Sequence, residues 1–333
     1  MILVTGASGY IGSHFLIEII NKGKDYLAID NFSRSKPATI DKITKITGKK
    51  VNFIKGDIGN DKFISNIFSN YNIEKVAHFA GLKSIEESIK YPLNYYSNNV
   101  SNTINLINFM ESYSVKNIIF SSSATVYGGD SKSPLNENIN IQFPKSPYAQ
   151  SKYIIEELLR KMSQESYNWN VGILRYFNPI GCHHSGIIGE NINQHSSNLI
   201  PSLINVVTKL NTNLEIFGND YETRDGTGVR DYLHIDDLIK GHLRALDYIA
   251  ENNGYHIWNL GSGKGYSVLE IIKAFENKLN QKIPISYKPR RSGDVAEYWA
   301  DISKAKRELL WHTEKNLQSI VDNVVGFIKK NDK

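Results

Sequence analysis

The chain has 333 residues, 41% hydrophobic and 22% charged, which is enough for a sizeable buried core and lies outside the range of disordered chains. Its formal charge of +5 is thinly spread, with lysines scattered among asparagines and isoleucines; this speaks against a nucleic-acid partner and leaves anionic small molecules compatible. Cys182 is the only cysteine, so no intramolecular disulfide can form, and no apolar run reaches membrane-spanning length; the chain opens directly on Ile2-Leu3-Val4, and the expectation is a cytoplasmic protein with no membrane segment.

Along the first half, short apolar runs alternate with longer amphipathic stretches, the rhythm of βαβ units. Strands are expected to begin near Ile2, Tyr26, Val51, Lys75, Asn117 and Val171, with helical spacing over 11–21 and 93–113. Residues 178–230 are instead rich in Asn, Gly, Ser and Thr, the texture of loops that hold substrates. A strand-like run at 256–260 returns to the sheet, and 261–333 add helices and a loop carrying Arg290 and Arg291. The expected fold class is α/β, a doubly wound parallel sheet with a smaller, discontinuous C-terminal domain. One domain takes 1–177 plus 233–260, and the substrate-binding domain takes 178–232 plus 261–333.

The first strand runs into Gly6-Ala7-Ser8-Gly9-Tyr10-Ile11-Gly12, which opens the first helix. Glycines there permit a tight turn, let backbone approach a pyrophosphate, and let helix pack on strand; the helix N-terminus attracts the phosphates. The spacing is G-x-x-G-x-x-G, and a glycine triplet alone also fits an ordinary turn. Asp30 ends the second strand, where a carboxylate accepts from a ribose 2′-hydroxyl and repels a 2′-phosphate, so NAD is expected over NADP. Asp57 either lines the adenine pocket or caps the next helix. Phe79-Ala80-Gly81 follows the fourth strand and suits close backbone approach; Lys83 beyond it either reaches a phosphate or is a solvated loop lysine.

Ser146-Pro147-Tyr148-Ala149-Gln150-Ser151-Lys152 reads as a helix start, with Ser146 as N-cap and Pro147 in the first turn. Tyr148 and Lys152 are four apart and share a face. A free phenol has a pKa of about 10. A nearby ammonium, the helix N-terminus and a cationic nicotinamide would each lower it and make Tyr148 a usable acid/base. Ser121-Ser122-Ser123 closes the fifth strand at its carboxyl end, where ligands bind in open α/β sheets, and Ser123 is the chosen catalytic hydroxyl. His183-His184 has no carboxylate or cysteine set at ligand spacing, so no metal is expected, and Cys182 reads as a packed residue.

Together these residues resemble the extended short-chain dehydrogenase/reductase family, and within it the nucleotide-sugar 4-epimerases, over almost the whole chain. Particular stretches are 4–14, 78–83, 120–128, 146–152, 174–179, 217–234 and 289–301. The resemblance implies a Rossmann-type NAD-binding domain and a reaction that interconverts UDP-glucose and UDP-galactose. It implies that Gly6, Gly9, Tyr10, Ile11, Gly12, Asp30, Asn31, Asp57, Ile58, Phe79, Ala80, Gly81, Lys83, Asn98, Tyr148, Lys152 and Tyr176 hold NAD. Ser123, Tyr148 and Lys152 match the catalytic set. Asn178, Asn198, Leu199, Phe217, Arg230, Tyr232, Arg291, Asp294 and Tyr298, with Ser123 and Tyr148, match residues that hold the UDP-sugar. Tyr298 matches a position where bulk restricts the pocket to sugars without an N-acetyl group. The 194–197 loop and Phe32-Ser33-Arg34-Ser35 depart from the pattern. Ala124 and Thr125 stand where a 4,6-dehydratase carries an Asp-Glu pair. A homodimer through the helices at 93–113 and 147–163 is implied as well.

Overall fold

Runs such as Ile2-Leu3-Val4 and Asn117-Ile118-Ile119-Phe120 place apolar side chains at consecutive positions, which a strand can bury only when both sheet faces are covered. In the computed structural model, which describes residues 1–129, 131–164, 168–190, 198–291 and 293–331, these runs are strands of one sheet with buried side chains on both faces. In chain order the strands are β1 (Ile2–Thr5), β2 (Tyr26–Asp30), β3 (Phe53–Lys55), β4 (Lys75–His78), β5 (Asn117–Ser123), β6 (Asn170–Tyr176), β7 (Asn178–Ile180), β8 (Leu214–Phe217), β9 (Val229–His234), β10 (Gly254–Leu260), β11 (Gly265–Ser267), β12 (Ile285–Lys288) and β13 (Glu297–Tyr298). Seven of them form the main sheet in the order β10-β6-β5-β4-β1-β2-β3, with the ladders from β3 through β6 all parallel. The order reverses between β1 and β4, so the loops after those two strands lie side by side at a topological switch point.

Contacts divide the chain into two compact units. The first comprises Met1–Gly128, Asn140–Tyr176 and Ile239–Trp258, and its core includes Leu3, Leu27, Val76, Ile118, Phe120 and Trp169. The second comprises Gly129–Ile139, Phe177–Leu238 and Asn259–Lys333. There β9 is flanked by β11, by parallel β13 and by parallel β7, and a separate core joins Leu203, Ile216, Tyr232, Phe275 and Val324. These boundaries differ from the sequence expectation at 129–139, 177, 233–238 and 259–260. The first segment is held by Trp299, whose carbonyl accepts from Leu135 N at 2.8 Å; Leu233 and His234 complete β9, and 235–238 open the helix Ile235–Glu251 that follows it.

Two elements also differ from expectation. β3 starts at Phe53, because Val51 and Asn52 precede its ladder. The 93–113 stretch is three pieces: helix Pro92–Tyr95, a π turn at Tyr96–Ser101, and helix Asn102–Ser112. The π turn aims Asn99 inward, where its side chain accepts from Leu82 N at 2.7 Å and donates to Leu82 O and Ser151 Oγ, both at 3.0 Å. Residues 194–197 lie outside the described residues.

Candidate active site

The glycine loop is built as its sequence implies. Gly6 has φ of +66°, and a Cβ there would stand 2.6 Å from Ala80 N, so only glycine lets the loops after β1 and β4 meet. A Cβ on Gly12 would stand 2.2 Å from Gly6 O, which fixes how close the helix Tyr10–Asn21 packs beneath the turn. Gly9 is the N-cap of that helix and has no side chain to bond its first turn. The amides of that turn are thus presented to an incoming anion, as a pyrophosphate needs. Asp30 braces the loop: it accepts from Ser8 N at 3.1 Å, Phe32 N at 2.7 Å and Ser35 Oγ at 3.1 Å. The divergent 32–35 segment therefore serves the same carboxylate, with Ser35 Oγ also 2.6 Å from Ser8 Oγ.

Asp57 does not cap the next helix. Asn60 caps the helix Asp61–Asn70, while Asp57 accepts from Asn31 Nδ2 at 2.6 Å and lies beside Asp30's strand end. Ile58 is buried in the core below. Lys83 has its ammonium 5.9 Å over the Tyr10 ring, at the mouth of the glycine loop, with Phe79, Ala80 and Gly81 on the same turn. Asn98 lies in the π turn beside the inward-facing Asn99. Tyr176 is buried against His242 on the helix Ile235–Glu251. This set, with a tight anion-binding turn and a carboxylate at the end of β2, fits a dinucleotide without a 2′-phosphate.

Ser146 caps the helix Pro147–Met162 through Ala149 N at 3.3 Å, and Pro147 occupies its first turn. That helix brings Tyr148 and Lys152 to the carboxyl end of β5, both buried. Lys152 Nζ donates to Ser121 O at 2.7 Å and rests 4.8 Å over the Phe120 ring. Ser123 caps the short turn Ala124–Tyr127, accepting from Thr125 N at 3.3 Å and Thr125 Oγ1 at 3.0 Å, and it also bonds Tyr148. Burial raises the Tyr148 phenol above its ordinary value, and only the Ser123 bond opposes this. The expected lowering is therefore not supplied by the chain alone. Burial also drives Lys152 down to about 8, against the opposing charge of Glu156.

Within the second unit, β9 organises the remaining residues. Arg230 donates from Nη2 to Asp294 Oδ1 at 3.1 Å, and Tyr298 pairs with it across the β9–β13 ladder. Tyr232 pairs with Asn178 on β7 and is buried. Tyr298 also lies 5.8 Å from Phe177, ring to ring. Arg291 stacks its guanidinium 3.7 Å over Phe217, which orders a planar cation for a phosphate. Asn198 begins the helix Leu199–Val207, and Leu199 packs against the core that includes Tyr232.

Sequence reasoning missed Glu156 and Arg175, a buried ion pair beside the Lys152 helix turn, and the Thr5–His78–Thr103 chain under the switch point. Arg175 does carry a signal, a charge inside the apolar run of β6. Cys182 is buried, its thiol pushed up to about 12 chiefly by burial, which makes it unreactive. No cluster of three or more metal-ligating side chains occurs among the described residues, and none of their helices is long and apolar enough to cross a membrane.

Residues 3–324 match the family model described as GDP-mannose 4,6 dehydratase. The UDP-glucose 4-epimerase of Pasteurella multocida is 44% identical over 332 residues, covering 100% of this chain and 98% of that relative. Among solved structures, the UDP-glucose 4-epimerase of Stenotrophomonas maltophila, with bound NAD and formylated UDP-arabinopyranose, superposes with a TM-score of 0.95 at 37% identity, covering 99% and 98% of the two chains. That of Bifidobacterium longum, in complex with NAD+ and UDP, gives 0.94 at 42% identity over 99% and 98%.

Proposed function

The chain belongs to the extended short-chain dehydrogenase/reductase family, in its UDP-glucose 4-epimerase branch, and on that premise we propose how its residues divide the work. The protein interconverts UDP-glucose and UDP-galactose by inverting C4 of the hexose. NAD, when bound, supplies a hydride acceptor and donor for that carbon, so the reaction needs no net redox. Tyr148 takes the proton of the C4 hydroxyl and returns it on the opposite face, with Ser123 donating to and orienting the reacting oxygen. Lys152 holds positive charge near the phenol as it ionises, and a bound nicotinamide would add to it. Arg230 and Arg291 take the diphosphate, whose binding energy keeps the 4-keto sugar from leaving without touching C4.

The observation that carries this reading is the buried Ser123–Tyr148–Lys152 set at the carboxyl end of β5. A dehydratase reading lacks its acid and base: Ala124 has neither, and Thr125 spends its hydroxyl on Ser123. Purified protein given UDP-galactose without added reductant should yield UDP-glucose. A 4-keto-6-deoxy sugar would establish dehydration instead, and no conversion with NAD bound would leave a nucleotide sensor.

The same reading extends to a homodimer. Leu93 is 79% exposed and Ile89 61% exposed, beside the helices proposed to pair. Sedimentation should give twice the chain mass, and a change of Leu93 to Asp should halve it.

A further inference from the structure

Beneath the Tyr148 helix lies a charged cluster that the proton and hydride steps do not use. Glu156, one turn after Lys152, is 1% exposed, and Arg175 on β6 is 3% exposed. Arg175 Nε donates to Glu156 Oε1 at 3.1 Å and Nη2 to Oε2 at 2.6 Å. Glu156 Oε1 also accepts from Ser122 Oγ at 2.5 Å, and Ser122 directly precedes Ser123. The Arg175 guanidinium lies 4.7 Å over the Tyr127 ring, in the turn that Ser123 caps. One carboxylate thus ties the helix of Tyr148 and Lys152 to the ends of both β5 and β6. Such a pair is a weak stabiliser relative to apolar side chains, since desolvating two charges offsets most of their attraction. Its value is better sought in the neighbouring chemistry.

We propose that Glu156 is a positioning residue for the epimerisation: its carboxylate keeps Lys152 a cation and fixes Ser123 against the Tyr148 helix, while Arg175 and Ser122 hold the carboxylate in place. Lys152 is faced by His78 from β4, by the Phe120 ring and Ser121 carbonyl from β5, and by Tyr148 and Glu156 from its own helix. From β6 come Arg175, which is bound to Glu156, and Tyr176, which bonds Ser121. His78 is held neutral by burial, its pKa down at about 3, so it brings no charge at neutral pH. Glu156 is the anion that opposes the burial of the ammonium.

The proposal rests on the epimerase reading, which wild-type turnover of UDP-galactose tests separately. In Glu156→Gln, kcat should fall about tenfold or more while KM changes little, and the alkaline limb of kcat should move toward neutral pH, because a less stabilised Lys152 loses its proton earlier. Glu156→Asp should recover part of the loss. Carbon-labelled lysine NMR gives a readout free of turnover: the resonance that Lys152→Met removes should titrate at lower pH in Glu156→Gln. If Glu156→Gln does not fold with Arg175 left unpaired, the paired Glu156→Gln/Arg175→Met variant carries the kcat measurement alone, because loss of the guanidinium offsets the charge felt by Lys152, and an undiminished kcat there would overturn the proposal. An alkaline limb and a lysine titration unchanged from wild type in folded Glu156→Gln would overturn the proposal. An inactive wild type would instead sink the epimerase reading, and the lysine titration would still decide the role of Glu156.

Discussion

At the scale of single residues, Tyr148 is a phenol whose burial works against its ionisation and whose neighbours must work for it. Tyr148→Phe keeps the ring and the helix but removes the hydroxyl proposed to carry the proton. Turnover should drop by roughly 100- to 10,000-fold, the range of general acid–base catalysis, with NAD and UDP binding retained in calorimetry. Near-normal turnover would take Tyr148 out of the mechanism. Tyr298 makes a different prediction, about selectivity. It lies 5.8 Å from Phe177 and beside Arg230 in the ladder, so its bulk is held in place. Tyr298→Ser should raise the ratio of UDP-N-acetylglucosamine to UDP-glucose turnover, and equal ratios in wild type and variant would reduce Tyr298 to packing.

At the scale of elements, the helix Tyr10–Asn21 shows how little freedom the glycine loop has. Gly12→Ala puts a methyl 2.2 Å from the Gly6 carbonyl, and backbone cannot swing aside as a flexible side chain can. The variant should lose about 1–3 kcal/mol of stability, as overpacked sites do, and bind NAD measurably more weakly. Wild-type melting and affinity would show that the turn can open. The same elements show what sequence reveals. Strands buried on both faces announce themselves as apolar runs, and Ser146-Pro147 marks a helix start by chemistry that acts locally. The π turn at Tyr96–Ser101 gave no such sign, because one added residue in a turn changes no side-chain type and blurs helical spacing only slightly. Glu156 escaped for a related reason: a lone acid on a helix reads as solvated until its partner across the sheet is known. Segment 129–139 was misplaced because its partners, such as Trp299, are remote in sequence.

At the scale of the whole molecule, two buried histidines set an acid limit. His78 is lowered to about 3 and His183 to about 4, burial being the largest cause in each. The unfolded chain takes these protons near the ordinary value of 6.5, and the folded chain does so only near 3 to 4. Between those limits the unfolded state binds more protons, so stability is full above about 6.5 and is lost as pH falls toward 4. Denaturant unfolding at pH 7 and pH 5 should show this loss, and His78→Asn should flatten it. An equal slope in the variant would assign acid sensitivity elsewhere.

The interleaving of the two units also sets an order for biosynthesis. A ribosome releases this chain from its first residue, yet the first unit needs Ile239–Trp258, and those residues emerge after most of Phe177–Leu238. Until then β6 has no β10 beside it, and its outer edge hangs open on a nascent sheet. Chains released early, by truncation or a premature stop before residue 254, should therefore aggregate rather than yield a small nucleotide-binding fragment.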